Sequence, residues 1–217
     1  MKVLLGILLL LFASILECYS QASDTNTIRL IKLPPDGLLL DKGWQFHGGD
    51  DSTWATPNFD DRSWTPVNPA QDIRQVHQLQ IAHLGWFRIK LLVDSALFEQ
   101  SLGILLSQTG ASEIYLNGKL VYKFGQVSSI KNEETTYRLY NRPFDLKLNS
   151  QKFQTIAVRY SFLHNGFLIG AEDFQNYCLK ILINYTGRTY GFYQKQLQFK
   201  LINELCLVCF LACVGNY

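Results

Sequence analysis

The chain has 217 residues, which is enough for one domain of ordinary size. Its 20 Lys and Arg residues against 18 Asp and Glu residues leave a net charge of +2, so the composition excludes the strongly basic surface of a typical nucleic-acid-binding protein. Hydrophobic residues make up 47% of the chain and charged residues only 18%, which excludes a chain disordered by composition, and the 13% of aromatic residues favours β structure.

The N-terminus has the layout of a secretory signal peptide. Lys2 supplies a short basic start, Val3 to Leu16 is apolar and uncharged, and small residues follow near position 20. We predict that residues 1–21 are a signal peptide and that the protein is exported, with a buried helix or an uncleaved membrane anchor as the alternative. Cys18 is a candidate for lipidation, but Glu17 stands where a small residue is expected.

Several segments of the body alternate apolar and polar residues, which is the period of a strand with one buried face. These segments lie at residues 86–93, 144–148, 155–162 and 179–185. In the first of them, Phe87 and Ile89 point to one face, and we expect Arg88 and Lys90 to point to water on the other. The body shows no long helical period, so the pattern predicts an all-β sandwich over residues 22–190.

The clearest local unit of the body is a predicted hairpin. Asn117-Gly118 stands between two apolar runs and supplies two residues that tolerate a positive φ, which a two-residue hairpin turn requires. We therefore predict that the strands on either side of residues 117–118 pair with each other.

The segment from Trp44 to Trp64 combines aromatic residues, glycines and carboxylates, and it holds the candidate ligand-binding residues. Trp residues can stack on sugar rings and paired carboxylates can bind calcium, but Asp also caps turns and Trp also fills the edge of a core. The candidate ligand-binding residues are His47, Asp50, Asp51 and Trp54. The loops predicted to carry a ligand are residues 47–64, 71–83 and 127–142.

The other apolar part of the chain is Leu205 to Gly215, eleven residues without a charge. A helix of that length spans about 16 Å, whereas a bilayer requires roughly 20 residues. We interpret residues 205–217 as the start of a transmembrane helix and residues 191–204 as a juxtamembrane connector; a last buried strand is the alternative. The run contains three cysteines, which are more typical of apolar packing than of a metal site.

No pattern in the chain indicates catalysis. The four histidines lie at positions 47, 77, 83 and 164, and their spacing fits no metal-binding motif. The nucleophile-elbow and phosphate-loop motifs are also missing from the sequence. We predict no catalytic residue, no metal site and no cofactor in this chain.

Ordered motifs across the body resemble the galactose-binding-like jelly roll, over about residues 37–165. The residues that carry the resemblance are Trp44 to Asp51, Trp54, Phe59-Asp60-Asp61, Trp64, Gly85-Trp86-Phe87-Arg88 and Gly110 to Gly118. This family includes the sugar-binding domain of β-galactosidase-like glycoside hydrolases. The resemblance implies a jelly-roll β-sandwich, but a fold of this kind serves many functions.

The order of signal peptide, jelly roll and apolar segment resembles the extracytoplasmic input region of bacterial membrane sensor proteins, most often sensor histidine kinases. The resemblance implies a domain on the periplasmic side of the cytoplasmic membrane that senses a small molecule, a glycan or a partner protein, with a possible homodimer in the full-length sensor. The alternative is a carbohydrate-binding accessory module of a secreted glycoside hydrolase-like protein, and a third hypothesis is a structural interaction domain of the cell envelope. No nucleic-acid partner is expected.

Overall fold

The computed structural model describes residues 26–130, 132–163 and 177–198. The predicted signal peptide and the predicted transmembrane segment lie outside the described residues, and of the predicted connector only residues 191–198 are described. Two β-sheets pack face to face, which confirms the predicted all-β sandwich.

The strands are short and follow one another through most of the chain. They are β1 (Thr27–Leu30), β2 (Leu38–Leu39), β3 (Trp44–Gly48), β4 (Thr65–Val67), β5 (Leu84–Val93), β6 (Leu102–Gln108), β7 (Ala111–Leu116), β8 (Lys119–Phe124), β9 (Leu139–Leu146), β10 (Phe153–Ser161) and β11 (Leu179–Tyr185). Three 3₁₀ turns at Ser52–Ala55, Ile73–Gln75 and Ser95–Leu97, helix α1 (His77–Ala82) and helix α2 (residues 186–198) complete the described elements.

The larger sheet, sheet A, has the order β4-β3-β5-β10-β7-β8, with β1 parallel to the far end of β5. The smaller sheet, sheet B, has the order β2-β11-β6-β9 and is antiparallel throughout its described pairs. Strands distant in sequence therefore lie side by side, and β10 pairs with both β5 and β7. This arrangement is the sandwich that the galactose-binding-like resemblance implied.

The core lies between the two sheets and contains the predicted apolar faces. It includes Phe87, Ile89, Leu91, Val93, Ile156, Val158, Tyr160, Leu179, Ile181 and Ile183. Since side chains of a strand alternate between its faces, a register shifted by one residue would expose each of these sets. The predicted strand periodicity is thus confirmed at β5, β10 and β11.

The predicted hairpin is also confirmed, because β7 pairs with β8 on either side of residues 117–118. Asn117 has φ 51° and Gly118 has φ 80°, the left-handed values that this turn requires. The Asn117 side chain also accepts a hydrogen bond from the backbone N–H of Thr155 at 2.8 Å, which fixes the turn to β10.

The prediction that Arg88 faces water is wrong. The side chain of Arg88 is 0% exposed, although it does lie on the outer face of sheet A, opposite the sandwich core. The loop between β3 and β4 folds over this face and covers Arg88. The prediction failed because the alternation of polar and apolar residues within β5 does not indicate whether another segment of the chain covers the polar face.

Helix α2 was not predicted, and it crosses the boundary that the sequence suggested between sandwich and connector. It lies over the outer face of sheet B: a Cβ added at Gly103 on β6 would come within 2.7 Å of Thr189 Oγ1 on the helix. Its sequence contains Gly187, Gly191 and several aromatic residues, which are weak helix formers, so its periodicity is faint. No helix among the described residues has both the length and the apolar character needed to cross a bilayer.

Candidate functional site

A row of charged side chains crosses the outer face of sheet A. In register, Trp86 on β5 lies beside Arg159 on β10, Arg159 lies beside Glu113 on β7, and Glu113 lies beside Lys123 on β8. Asp50, from the loop after β3, reaches over to the same row. We call Asp50, Arg159, Glu113 and Lys123 the ion-pair row.

Arg159 is the centre of the ion-pair row. Its guanidinium donates from Nε to Asp50 Oδ1 at 2.7 Å and from Nη2 to Asp50 Oδ2 at 2.5 Å, which is a two-pronged contact. A third hydrogen bond runs from Nη1 to Glu113 Oε2 at 3.2 Å. Lys123 Nζ lies 2.9 Å from the other oxygen of Glu113, so two cations balance two carboxylates.

The ion pairs determine the protonation of both carboxyl groups. The hydrogen bonds from Arg159 hold the pKa of Asp50 below its ordinary value against the opposing effect of burial. The indole N–H of the buried Trp86 also lowers this pKa, although it makes no hydrogen bond of normal geometry within the described structure. Burial raises the pKa of Glu113, but Lys123 and Arg159 together outweigh it, so the pKa lies below its ordinary value.

An aromatic cluster adjoins the ion-pair row on the β3 side. His47 lies 4.8 Å from Trp54 and 5.4 Å from Trp64 between ring centroids, and Trp54 contacts Trp64 at 5.3 Å. Trp64 and Trp86 are buried, whereas Trp54 is half-buried and His47 is exposed. The members of the aromatic cluster are His47, Trp54, Phe59, Trp64 and Trp86.

The four predicted site residues therefore fall at one corner, but with different roles. His47 and Trp54 contact each other, and Asp50 belongs to the ion-pair row beside them. Asp51 instead caps the 3₁₀ turn at Ser52–Ala55: its Oδ1 accepts from the backbone N–H and the hydroxyl of Thr53, each at 2.8 Å. Asp51 thus caps a turn, which is the structural role that the sequence analysis gave as the alternative to ligand binding.

A buried ion pair beneath the aromatic cluster holds the covering loop in place. Arg88 Nε donates to Asp61 Oδ2 at 3.0 Å, and Nη1 donates to the backbone carbonyl of Trp54. Lys90 Nζ lies 2.8 Å from Asp61 Oδ1. Burial lowers the pKa of Arg88 despite this partner, as expected for a cation taken out of water. Arg88 therefore connects β5 to the backbone of the covering loop at Trp54.

Sequence reasoning missed Arg88, Glu113 and Arg159. Arg88 and Arg159 stand at polar-face positions of predicted strands, and Glu113 directly precedes the predicted hairpin, which is the signal that was available. Asp50 and Arg159 are 109 residues apart in the chain, so their pairing could be seen only once β3, β5 and β10 were placed side by side.

Neither a metal centre nor a disulfide is seen in the described part of the chain. No group of three His, Cys, Asp or Glu side chains there is close enough together to hold an ion. Of the five cysteines, Cys178 lies within the described residues. It is buried and free, and burial raises the pKa of its thiol.

Solved structures similar to this chain include bacterial glycoside hydrolases. A β-glucuronidase of Bacteroides uniformis has a TM-score of 0.48 and 20% identity over 67% of this chain and 17% of its own. A glycosyl hydrolase family 2 member from Bacteroides cellulosilyticus has a TM-score of 0.43 and 16% identity, over 69% of this chain and 21% of its own. A β-glucuronidase of Bifidobacterium dentium, complexed with coumarin-3-O-glucuronide, has a TM-score of 0.45 and 14% identity, over 73% of this chain and 32% of its own.

This chain spans a third or less of each of these neighbours, so their activities belong to much longer proteins. No family model matches the chain, and neither does any curated protein. The described residues themselves form the two-sheet β-sandwich that the galactose-binding-like resemblance implied.

Proposed function

We propose that this domain is a non-catalytic carbohydrate-binding module and that its site is the corner formed by the ion-pair row and the rim of the aromatic cluster. The observation that carries the proposal is the combination of a charge-balanced row of hydrogen-bonding groups with partly exposed aromatic rings beside it. A sugar presents hydroxyl groups that both donate and accept, together with apolar C–H faces, and these two features match them.

The charge balance favours a neutral ligand. Asp50 and Glu113 are compensated by Arg159 and Lys123, so the row offers donors and acceptors without a net field for an ion. The side chains of Asp50 and Lys123 remain 43% and 54% exposed, which leaves an acceptor and a donor at the surface. His47 adds an exposed ring at the edge of the same face.

The ion pairs also prepare the site before a ligand arrives. The two-pronged contact from Arg159 fixes the Asp50 carboxylate, and Lys123 and Arg159 fix Glu113 from two sides. Groups that are already held lose little conformational freedom on binding, which favours affinity for a small polar ligand.

The membrane-sensor hypothesis has no support from the described residues or from the comparisons. The apolar segment at residues 205–217, on which it depends, lies outside the described residues. Export and a periplasmic location remain predictions from the first 21 residues of the sequence, and attachment to a glycoside hydrolase-like protein remains part of the proposal.

A glycan array probed with the full chain tests the proposed function, followed by calorimetry with the strongest neutral oligosaccharide. We expect Glu113→Gln to weaken binding about tenfold, because the charge that positions Lys123 and Arg159 is lost while the shape of the side chain is kept. His47→Ala should weaken it roughly fivefold through the lost ring contact. The matched controls are Glu99→Gln and Tyr140→Ala, both exposed and outside the corner, and neither should change the affinity.

Two results would contradict the carbohydrate-binding proposal. One is an array on which no glycan is retained by the folded chain. The other is binding that survives Glu113→Gln and His47→Ala unchanged, which would place the ligand elsewhere on the sandwich.

A further inference from the structure

A second recess lies on the opposite side of the molecule, between helix α2 and the outer face of sheet B. Its volume is about 490 Å³, within the range of small-molecule sites. Apolar contacts come from Leu105 and Leu182 on the sheet and from Phe192 on the helix. Its charged lining residues are Asp36, Lys180, Arg188 and Lys195. We call this recess the helix groove.

The cations of the helix groove differ from those of the ion-pair row, because no carboxylate in the described structure pairs with them. Lys180 lies 4.4 Å above the ring of Tyr177 and donates to its hydroxyl at 3.3 Å. Arg188 lies 5.3 Å from the ring of Tyr185 and donates to the Pro35 carbonyl at 3.3 Å. Both cations are positioned without being neutralised, and Asp36 alone opposes the three positive charges among the described lining residues.

The same flank of the helix exposes an aromatic side chain next to these cations, because Phe192 lines the groove and is 48% exposed. The sequence that follows the described helix continues with Phe199-Lys200-Leu201-Ile202. Cations beside an exposed aromatic residue on one flank of a helix are typical of segments that lie at a lipid–water interface.

We propose that the helix groove binds the phosphate headgroup of an anionic phospholipid at a membrane surface. Lys180, Arg188 and Lys195 supply the positive charge for the phosphate, and Phe192 contacts the adjoining acyl region. A membrane lipid fits better than a soluble anion because a soluble anion would leave the exposed Phe192 ring beside the cations without a partner. This site is separate from the carbohydrate-binding corner, and neither depends on the other.

The test is co-sedimentation of the full chain with two kinds of vesicle, one of phosphatidylcholine alone and one containing about a quarter of phosphatidylglycerol. The measured quantity is the ratio of binding to the two vesicles, which removes any contribution that residues 205–217 make to both. We expect the unaltered chain to prefer the anionic vesicles, and Arg188→Gln with Lys195→Gln to reduce the ratio roughly fivefold for each cation removed. The charge-matched control, Lys119→Gln with Lys152→Gln, removes two exposed lysines outside the groove and should keep the ratio.

The circular dichroism spectrum of each variant should match that of the unaltered chain, which shows that the fold is kept. Equal binding to both vesicles, an equal loss of the ratio in the groove variant and in its charge-matched control, or displacement by the acidic polysaccharide polygalacturonate or by millimolar inorganic phosphate would overturn the lipid assignment.

Discussion

The two outer faces of the sandwich carry similar kinds of charged and aromatic groups but arrange them in opposite ways. On sheet A, Arg88, Arg159 and Lys123 each contact a carboxylate, and a loop covers part of the face. On sheet B, Lys180 and Arg188 contact tyrosine rings instead, and a helix covers the face.

We infer from this difference that the partners of a charged residue, rather than its presence, indicate which ligand a surface can bind. A balanced row presents polar atoms without a net charge, which suits a neutral sugar. Cations held by aromatic rings keep their charge, which suits an anion. The net charge of +2 for the whole chain does not indicate that, among the described residues, one face is charge-balanced and the other carries cations without a carboxylate partner.

The largest expected effect comes from breaking the buried pair beneath the aromatic cluster. Arg88→Ala leaves Asp61 buried with one partner fewer, and such a loss typically costs about 3–5 kcal/mol of unfolding free energy. Chemical denaturation of the full chain measures it. Arg62→Ala is the matched control, because its pair with Asp60 is exposed, and it should have a much smaller effect. Equal losses in the two variants would show that the covering loop is not held by Arg88.

The next effect comes from the hairpin, which also supports the covering loop. Gly118 has φ 80°, and a Cβ there would lie 3.3 Å from Cδ of Pro57 in that loop. Gly118→Val should therefore lower the unfolding free energy by roughly 1–3 kcal/mol, since a β-branched residue resists a positive φ. An unchanged melting temperature would mean that the turn tolerates an ordinary residue.

On the sheet B side, replacing a glycine should stabilise the fold instead of destabilising it. Gly191→Ala fills no occupied space and should raise the unfolding free energy by about 1 kcal/mol. Gly103→Ala is the contrasting variant, because its Cβ would lie 2.7 Å from Thr189 Oγ1 and push the helix from the sheet. Stabilisation by both variants would contradict the close approach of helix α2 to β6.

The smallest expected effect is a pH dependence of the ion-pair row. The pKa values of Asp50 and Glu113 are lowered in the folded chain, so the unfolded chain takes up more protons in acid. Their stabilisation is present at neutral pH and is lost as the pH falls through about 4 and below. The denaturation midpoint should therefore drop less between about pH 7 and about pH 3 in Asp50→Asn with Glu113→Gln than in the unaltered chain. Identical drops would show that the row contributes nothing to stability.

Much of the sandwich could be predicted from the sequence because strand periodicity and turn chemistry are local signals. The alternation in β5, β10 and β11 indicated the core faces, and Asn117-Gly118 indicated the hairpin. Helix α2 was missed because its glycines and aromatic residues weaken the helical pattern, and its contact with Gly103 depends on tertiary packing.

The candidate site was predictable only in part, for a related reason. His47, Asp50 and Trp54 lie in one segment of the chain, so their residue types alone are enough to indicate the corner. Glu113 and Arg159 reach the corner through strand pairing between distant parts of the chain, which no local pattern reports. The burial of Arg88 likewise depends on a loop that comes from elsewhere in the sequence.

The most direct test of the central claim, that the sheet A corner is the carbohydrate site, is the indole region of a ¹H–¹⁵N correlation spectrum. The chain has four tryptophans, and Trp54→Phe assigns the signal of the one at the rim. Addition of the strongest neutral array glycan should shift the Trp54 and Trp86 signals and leave Trp44, in the sandwich core, unchanged. Saturating binding that moves neither Trp54 nor Trp86 would contradict the account.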